Sequence, residues 1–177
     1  GYEPAGTLTR NGETVPPSEL PLLGELALAA SLCNDAELHN LEGRWTVEGD
    51  PMEGALLAFA GKAGLELAET RGRWARTDVI PFDSQHRFMA TLNHDHEGNA
   101  RIFVKGAPER LLDMCREQRD ESGVAVPLDR DYWLARAEAI AAEGQRVLAL
   151  AERSMPSEHT VLEIADIDAS LVLLGMV

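Results

Sequence analysis

Three consecutive segments, "WARTDVIPFDS", "HRFMATLNHD" and "ARIFVKGA", run from Trp74 to Ala107, and across them the hydrophobic period shifts towards two. A period of two puts alternate side chains on opposite faces of an extended chain. The breaks between the segments are short and polar, with Asp95–Asn99 joining the last two. Short polar joins connect antiparallel neighbours, because a parallel crossover needs a dozen residues or more. A meander of three strands is therefore the constraint that the rest of the chain must satisfy.

Helical spacing surrounds this meander. "SELPLLGELALAASLCN" (18–34) is expected to be a helix with Ser18 as N-cap. "DPMEGALLAFAGKAG" (50–64) has Asp50 at the N-cap and Pro51 in the first turn. "APERLLDMCRE" and "DRDYWLARAEAIAAEG" read as two further helices, the second ended by Gly144. "RWTVEG", "QRVLALAER" and "SLVLLGMV" read as strands, and Asn11-Gly12 as the turn of a hairpin near the start. The expected class is α+β: a largely antiparallel sheet of about six or seven strands flanked by helices, in one domain over residues 1–177. Because the sequence stops inside an apolar strand, it reads as a piece of a longer protein.

Composition narrows the functions. The net charge is −14, and Lys62 and Lys105 are the only lysines, so nucleic acid is not an expected partner. No apolar run approaches the roughly 20 residues that cross a bilayer, and direct membrane contact is not expected. Cys33 and Cys115 lie far apart and outside any CxxC, which reads as two buried thiols. His94 and His96 would share a strand face, but a polar hairpin end explains them, and no metal site is assigned. His39 and His159 have no partner identifiable from spacing. No nucleophile–base pair stands out, so no catalytic residue is assigned.

Lys105 is the residue that most needs an explanation. It follows "IFV" and precedes Gly106, where backbone can approach a ligand closely. It is either a solvated strand-end lysine or an ammonium facing a phosphate or ring nitrogen. Phe82, after Pro81 and before Asp83-Ser84, is either core or a flat stacking face for a base. Arg87 is either an exposed strand arginine or a phosphate fork. Glu53, in a first helical turn, either serves the helix dipole or accepts from an exocyclic amine. Arg146 has the same ambiguity.

Four segments taken together carry a resemblance. "GDPMEGALL" (49–57), "PFDSQHRFMATL" (81–92), "FVKGAPERLL" (103–112) and "GQRVLALAER" (144–153) stand in the order seen in the nucleotide-binding domain of cation-transporting P-type ATPases. The chain looks like the branch that contains calcium pumps and their bacterial relatives. "KGAPE" and "GDPxEGALL" are the most specific motifs, and "GYEPAG" and "LVLLGMV" extend the likeness over nearly the whole chain.

The resemblance implies roles. Phe82 would stack on adenine, and Glu53 would accept from its amino group. Lys105 would line the pocket floor near adenine and ribose, with Gly106 and Ala107 admitting the nucleotide. Arg146 would lie near phosphates or ribose, Leu148 and Met89 would flank the ring, and Arg87 stands where several relatives have lysine. Ser84 falls where calcium-pump relatives carry an arginine near the phosphates, and Met52 replaces the threonine of "GDPTEG".

The resemblance further implies ATP as ligand, with Mg²⁺ bound alongside it and by a separate phosphorylation domain. Phosphorylation and actuator domains of the same pump would be the partners, and the segment would be a cytoplasmic domain of an integral membrane protein. "GTLT" (6–9) echoes the end of the family's phosphorylation motif, but Glu3, Pro4 and Ala5 precede it and the nucleophilic aspartate is absent. The chain alone is thus expected to bind ATP without turnover. A different class remains open: an α+β protein-interaction module that has lost nucleotide binding.

Overall fold

A computed structural model describes all 177 residues. Strands β5 (Ala75–Asp83), β6 (Phe88–His94) and β7 (Ala100–Gly106) form the expected meander. They are one side of a seven-stranded sheet with the order β5-β6-β7-β10-β11-β8-β9. The remaining members are β8 (Cys115–Arg119), β9 (Ala125–Pro127), β10 (Ala149–Met155) and β11 (Leu171–Met176). Every pairing is antiparallel except β11 with β8. Two small hairpins stand apart: β1 (Thr9–Arg10) with β2 (Glu13–Thr14), and β3 (Glu37–Leu41) with β4 (Arg44–Glu48).

Helices cover both faces, so the central strands are buried on both sides. Helices α1 (Pro21–Leu32) and α2 (Pro51–Lys62) cover one face, where Met89, Phe103 and Leu150 pack on Ala29, Ala30 and Leu56. The other face carries Phe88, Ala90, Ile102 and Val104, packed beneath Leu111 and Leu112 of α4 (Pro108–Met114). Helix α5 (Arg130–Ala142) lies over α4, while α3 (Leu67–Arg73) and the short α6 (Ile164–Ile167) fill in at the sides.

Some local expectations fail for physical reasons. Ser18 does not cap α1; it sits in a 3₁₀ turn, Pro17–Glu19, and Pro21 with its fixed φ starts the helix. The helix read through "CRE" ends at Met114, because Cys115 pairs with Leu171 and the Met114 carbonyl accepts from the Ser170 N–H (3.0 Å). Strand pairing across the sheet overrides the local helical pattern there. Strands β3 and β9 and helix α3 had no strong periodic signal.

Candidate nucleotide site

The N-terminus of α2 is built first. Asp50 caps it, its Oδ1 accepting from the N–H of Met52 (2.8 Å) and Glu53 (3.2 Å). This brings Glu53 into the first turn, where the dipole favours a carboxylate. The Glu53 carbonyl accepts from Asn34 Nδ2 (2.9 Å), and its Oε2 accepts from the Asp35 N–H (3.2 Å). Gly54 follows because β4 is too close for anything larger: an added Cβ would lie 2.6 Å from Val47 Cγ1.

Lys105 approaches from the sheet. It is 6% exposed, and its Nζ forms an ion pair with Glu53 Oε1. The register lays Met89 beside it on β6 and Leu150 beside it on β10. Beneath it lies Cys33, whose Sγ–H donates to the Met89 carbonyl (3.4 Å). Burial pushes the Cys33 thiol up to about 11, the nearby Lys105 charge only partly opposing it. Both cysteines are buried free thiols, as composition indicated.

Gly106 ends β7 under a tight contact. A Cβ there would meet the Arg87 carbonyl and lie 2.9 Å from Phe88 Cα. The same Arg87 carbonyl accepts from the Ala107 N–H (3.1 Å), which stitches the Gly106-Ala107 corner to the β5–β6 turn. That turn is held by Asp83, whose Oδ1 accepts from the N–H groups of Gln85 (2.7 Å) and His86 (3.2 Å). These bonds hold the Asp83 carboxyl below the usual range.

Phe82 is 63% exposed, although it sits in a strand of the main sheet. Register pairs Ile80↔Ala90 and Asp83↔Phe88 enclose two residues, Pro81 and Phe82, against the single Met89. This is a β-bulge on an edge strand, the position where a proline is tolerated and a side chain can be re-aimed. The core alternative for Phe82 is thereby excluded. Two strand spacings of about 4.8 Å separate its strand from that of Lys105.

The other candidates divide. Met89 is buried next to Lys105, and Ser84 is exposed in the turn. Arg87, in the left-handed region at φ 59°, pairs its side chain with Glu109 (2.6 Å). Arg146 and Leu148 line a recess of about 220 Å³ with Met52, Leu56 and Phe59 of α2. Leu148 is fixed there by reciprocal backbone bonds with Val177 (2.8 and 2.9 Å). Sequence reasoning missed Asn34 and Asp35, which fix Glu53 from a loop that carries no recognisable motif.

The largest concavity, about 650 Å³, lies at the other end of the sheet around Arg101, Arg119 and Glu152. Its charges are already matched: the two arginines converge on Glu152, and Arg73 pairs with Glu97 (3.1 Å). The largest hollow is therefore not lined by the candidate residues named from the sequence.

The histidines also find partners that spacing did not reveal. His39 meets Glu48 (3.1 Å), and His159 meets Asp166 (3.0 Å). His94 joins Thr77 Oγ1 (2.5 Å) and the Ser157 carbonyl (3.1 Å).

Residues 22–177 match the family model described as P-type ATPase, cytoplasmic domain N. The chain belongs to this family. It is 40% identical, over 99% of its length, to Cation-transporting ATPase pma1 of Synechocystis sp., of which the match covers 20%. It is 34% identical over 97% of its length to Calcium-transporting ATPase 1 of Lactococcus lactis, covering 21% of that protein. Sodium/potassium exporting P-type ATPase cta3 of Schizosaccharomyces pombe is 38% identical over 76% of the chain, covering 12% of the yeast protein. This N domain thus spans about a fifth of the first of these relatives. The α+β fold with its mainly antiparallel sheet agrees with the family, and no helix is long and apolar enough to cross a membrane.

Proposed function

We propose that this N domain binds ATP by its adenosine end and, within a parent cation-transporting ATPase, presents the γ-phosphate to an aspartate on another domain. The observation that carries the reading is the pairing of a buried, ligand-type ion pair, Lys105–Glu53, with an exposed bulge aromatic, Phe82, on the same sheet. A phenylalanine that is 63% exposed beside the Lys105 end of the sheet offers a flat face on which a base ring can stack.

Glu53 has the capacity for adenine. An ionised carboxylate offers about four lone-pair positions, and Lys105 and the Asp35 N–H occupy two. The adenine amino group would donate to a remaining one, whereas guanine offers a carbonyl at that place and would be repelled. Arg146 is exposed at the rim and free to approach ribose or phosphate. Magnesium does not fit the Lys105 pocket itself, where Glu53 is already committed to a lysine, so it would enter with the triphosphate.

The partners in this reading are ATP and ADP together with phosphorylation and actuator domains of the same pump. The competing reading, a protein-interaction module without nucleotide affinity, draws on Arg87 being neutralised by Glu109 and on the −14 net charge.

An ATP titration followed by backbone amide NMR, with GTP alongside, separates the two. One stacked ring and a few polar contacts give about 4–6 kcal/mol, a Kd between tens of micromolar and about a millimolar. Saturable shifts at Glu53, Phe82, Lys105–Ala107 and Arg146, weaker with GTP, are expected. Their absence up to about ten millimolar ATP would put the interaction module first.

A further inference from the structure

We propose that Glu37, His39 and Glu48, on the outer face of the β3–β4 hairpin, form a binding site for a divalent transition-metal ion of the zinc type. Glu37 and Glu48 are direct cross-strand partners, and His39 is two residues along on the same face. The His39 Nε2 lies 3.1 Å from Glu48 Oε2 and 3.8 Å from Glu37 Oε2, and one donor atom from each of the three falls within 4.8 Å of the others. Tetrahedral zinc, with bonds of about 2.0–2.1 Å, holds neighbouring donors about 3.3 Å apart. Small rotamer adjustments on an exposed face would close the difference.

The donor set selects the class of ion. One imidazole with two carboxylates suits zinc and its first-row neighbours, whereas calcium and magnesium prefer all-oxygen shells. Three protein donors leave a coordination position for water.

The hairpin also has an electrostatic reason to bind a cation. Two carboxylates directly opposite each other on a strand pair repel. The Arg71 guanidinium feels the Glu37 charge but spends its hydrogen bonds on the carbonyls of Ser31 (3.3 Å) and Ala36 (3.0 Å). Arg44 is on the same hairpin face but at its far end, opposite Leu41. A metal ion between Glu37 and Glu48 removes the repulsion at its source.

The position is the base of the hairpin, where both strands join the helices. Glu37 comes two residues after Asp35, which donates to Glu53, and Glu48 two residues before Asp50, which caps α2. An ion there cross-links the two segments that hold Glu53 in place. The ion site itself does not depend on nucleotide binding.

The test is a zinc titration of the 177-residue chain near pH 7.5, followed by calorimetry and by amide and imidazole NMR, with calcium as the control ion. The expected result is saturable binding of zinc with shifts centred on residues 37–48, unaffected by millimolar calcium. His39→Ala and Glu48→Gln should each weaken that binding by at least about tenfold, ligand loss being no milder than the loss of an outer-shell partner. Glu48 is exposed and His39 half-buried on an outer hairpin face, so the variants are expected to fold, and their unchanged amide spectra outside the hairpin would show it. No saturable shift in the hairpin below millimolar zinc, or equal affinity in the His39→Ala variant, would overturn the proposal. His39 would then be an imidazole held between two carboxylates without a metal. Weaker zinc shifts confined to His94 and His96 count against it in the same way.

Discussion

Strand β7 carries a cation near each end of one face, and the two are neutralised in different ways. Arg101 lies over the Phe103 ring (4.9 Å to its centroid) and contacts both Glu25 and Glu152. Glu152, 1% exposed, also receives Arg119 through Nη2 (2.7 Å) and Nε (3.2 Å). Four residues away, Lys105 has a single ionic partner, Glu53, whose remaining lone pairs are uncommitted. The first arrangement is closed: forked donors saturate a buried carboxylate and leave nothing to offer a ligand. The second is a compact ammonium against a carboxylate with spare capacity, which suits a ligand that comes and goes.

The comparison can be broken most severely at Glu152. Glu152→Ala removes the carboxylate shared by two partly buried guanidinium groups, leaving Arg101 with Glu25 and Arg119 with no ionic partner, and removing one partner of a buried pair costs about 3–5 kcal/mol. Denaturant unfolding should register that loss while ATP affinity in the folded fraction stays within about twofold. A loss well under 1 kcal/mol would mean that the network is no more structural than a surface pair.

At the other end the expected signature is reversed. Replacing a buried pair by apolar residues of similar volume is often neutral or stabilising. The double variant Lys105→Met with Glu53→Leu is therefore expected to keep stability within about 1 kcal/mol, while ATP shifts disappear at millimolar ligand. Equal damage to stability from both ends would remove the distinction.

Phe82→Ala comes next. The ring is exposed, so stability should move by less than about 0.5 kcal/mol. ATP binding should weaken by about 1–3 kcal/mol, the worth of one stacked base. Unfolding curves and the same NMR titration read the two quantities separately.

The smallest expected effect is on Cys33. Burial raises this thiol to about 11, so it should resist alkylation at pH 8 in the folded chain. Faster labelling in the Lys105/Glu53 double variant, but not in Glu152→Ala, would show that the Lys105 end opens locally while the Arg101 end does not.

Much of this was legible in the residues, and the failures have identifiable causes. The meander was readable because β5, β6 and β7 are consecutive, of strand length and joined by short polar turns. Asp50 as cap and Glu53 in the first turn followed from short-range rules that the tertiary structure left intact. "FVKGAPE" singled out Lys105 as needing an explanation, but the partner that buries with it was not readable, because Glu53 lies 52 residues earlier on another element. The exposure of Phe82 depends on a one-residue bulge, which a period-two pattern blurs rather than displays. Strand β8 read as helix because what makes it a strand, β11, arrives more than 50 residues later. His39 showed nothing by spacing, since one of its carboxylates faces it from across a hairpin.

The strand order also sets a schedule for synthesis. β5, β6 and β7 are neighbours in both sequence and space, so they can associate as soon as residue 106 has emerged. The next strand in the sheet, β10, begins at Ala149, and its other neighbour, β11, at Leu171. Until then the inner edge of β7 is a row of unpaired amides and carbonyls, a template for the wrong strand. Chains truncated before Ala149 are expected in the aggregated fraction during expression, and those ending after Met176 in the soluble one. A soluble, monomeric short form would show that the edge is covered by some other segment. Leu150, the neighbour of Lys105 on β10, is the last of its surroundings to be put in place, so a nascent chain cannot enclose Lys105 before its sheet is nearly whole.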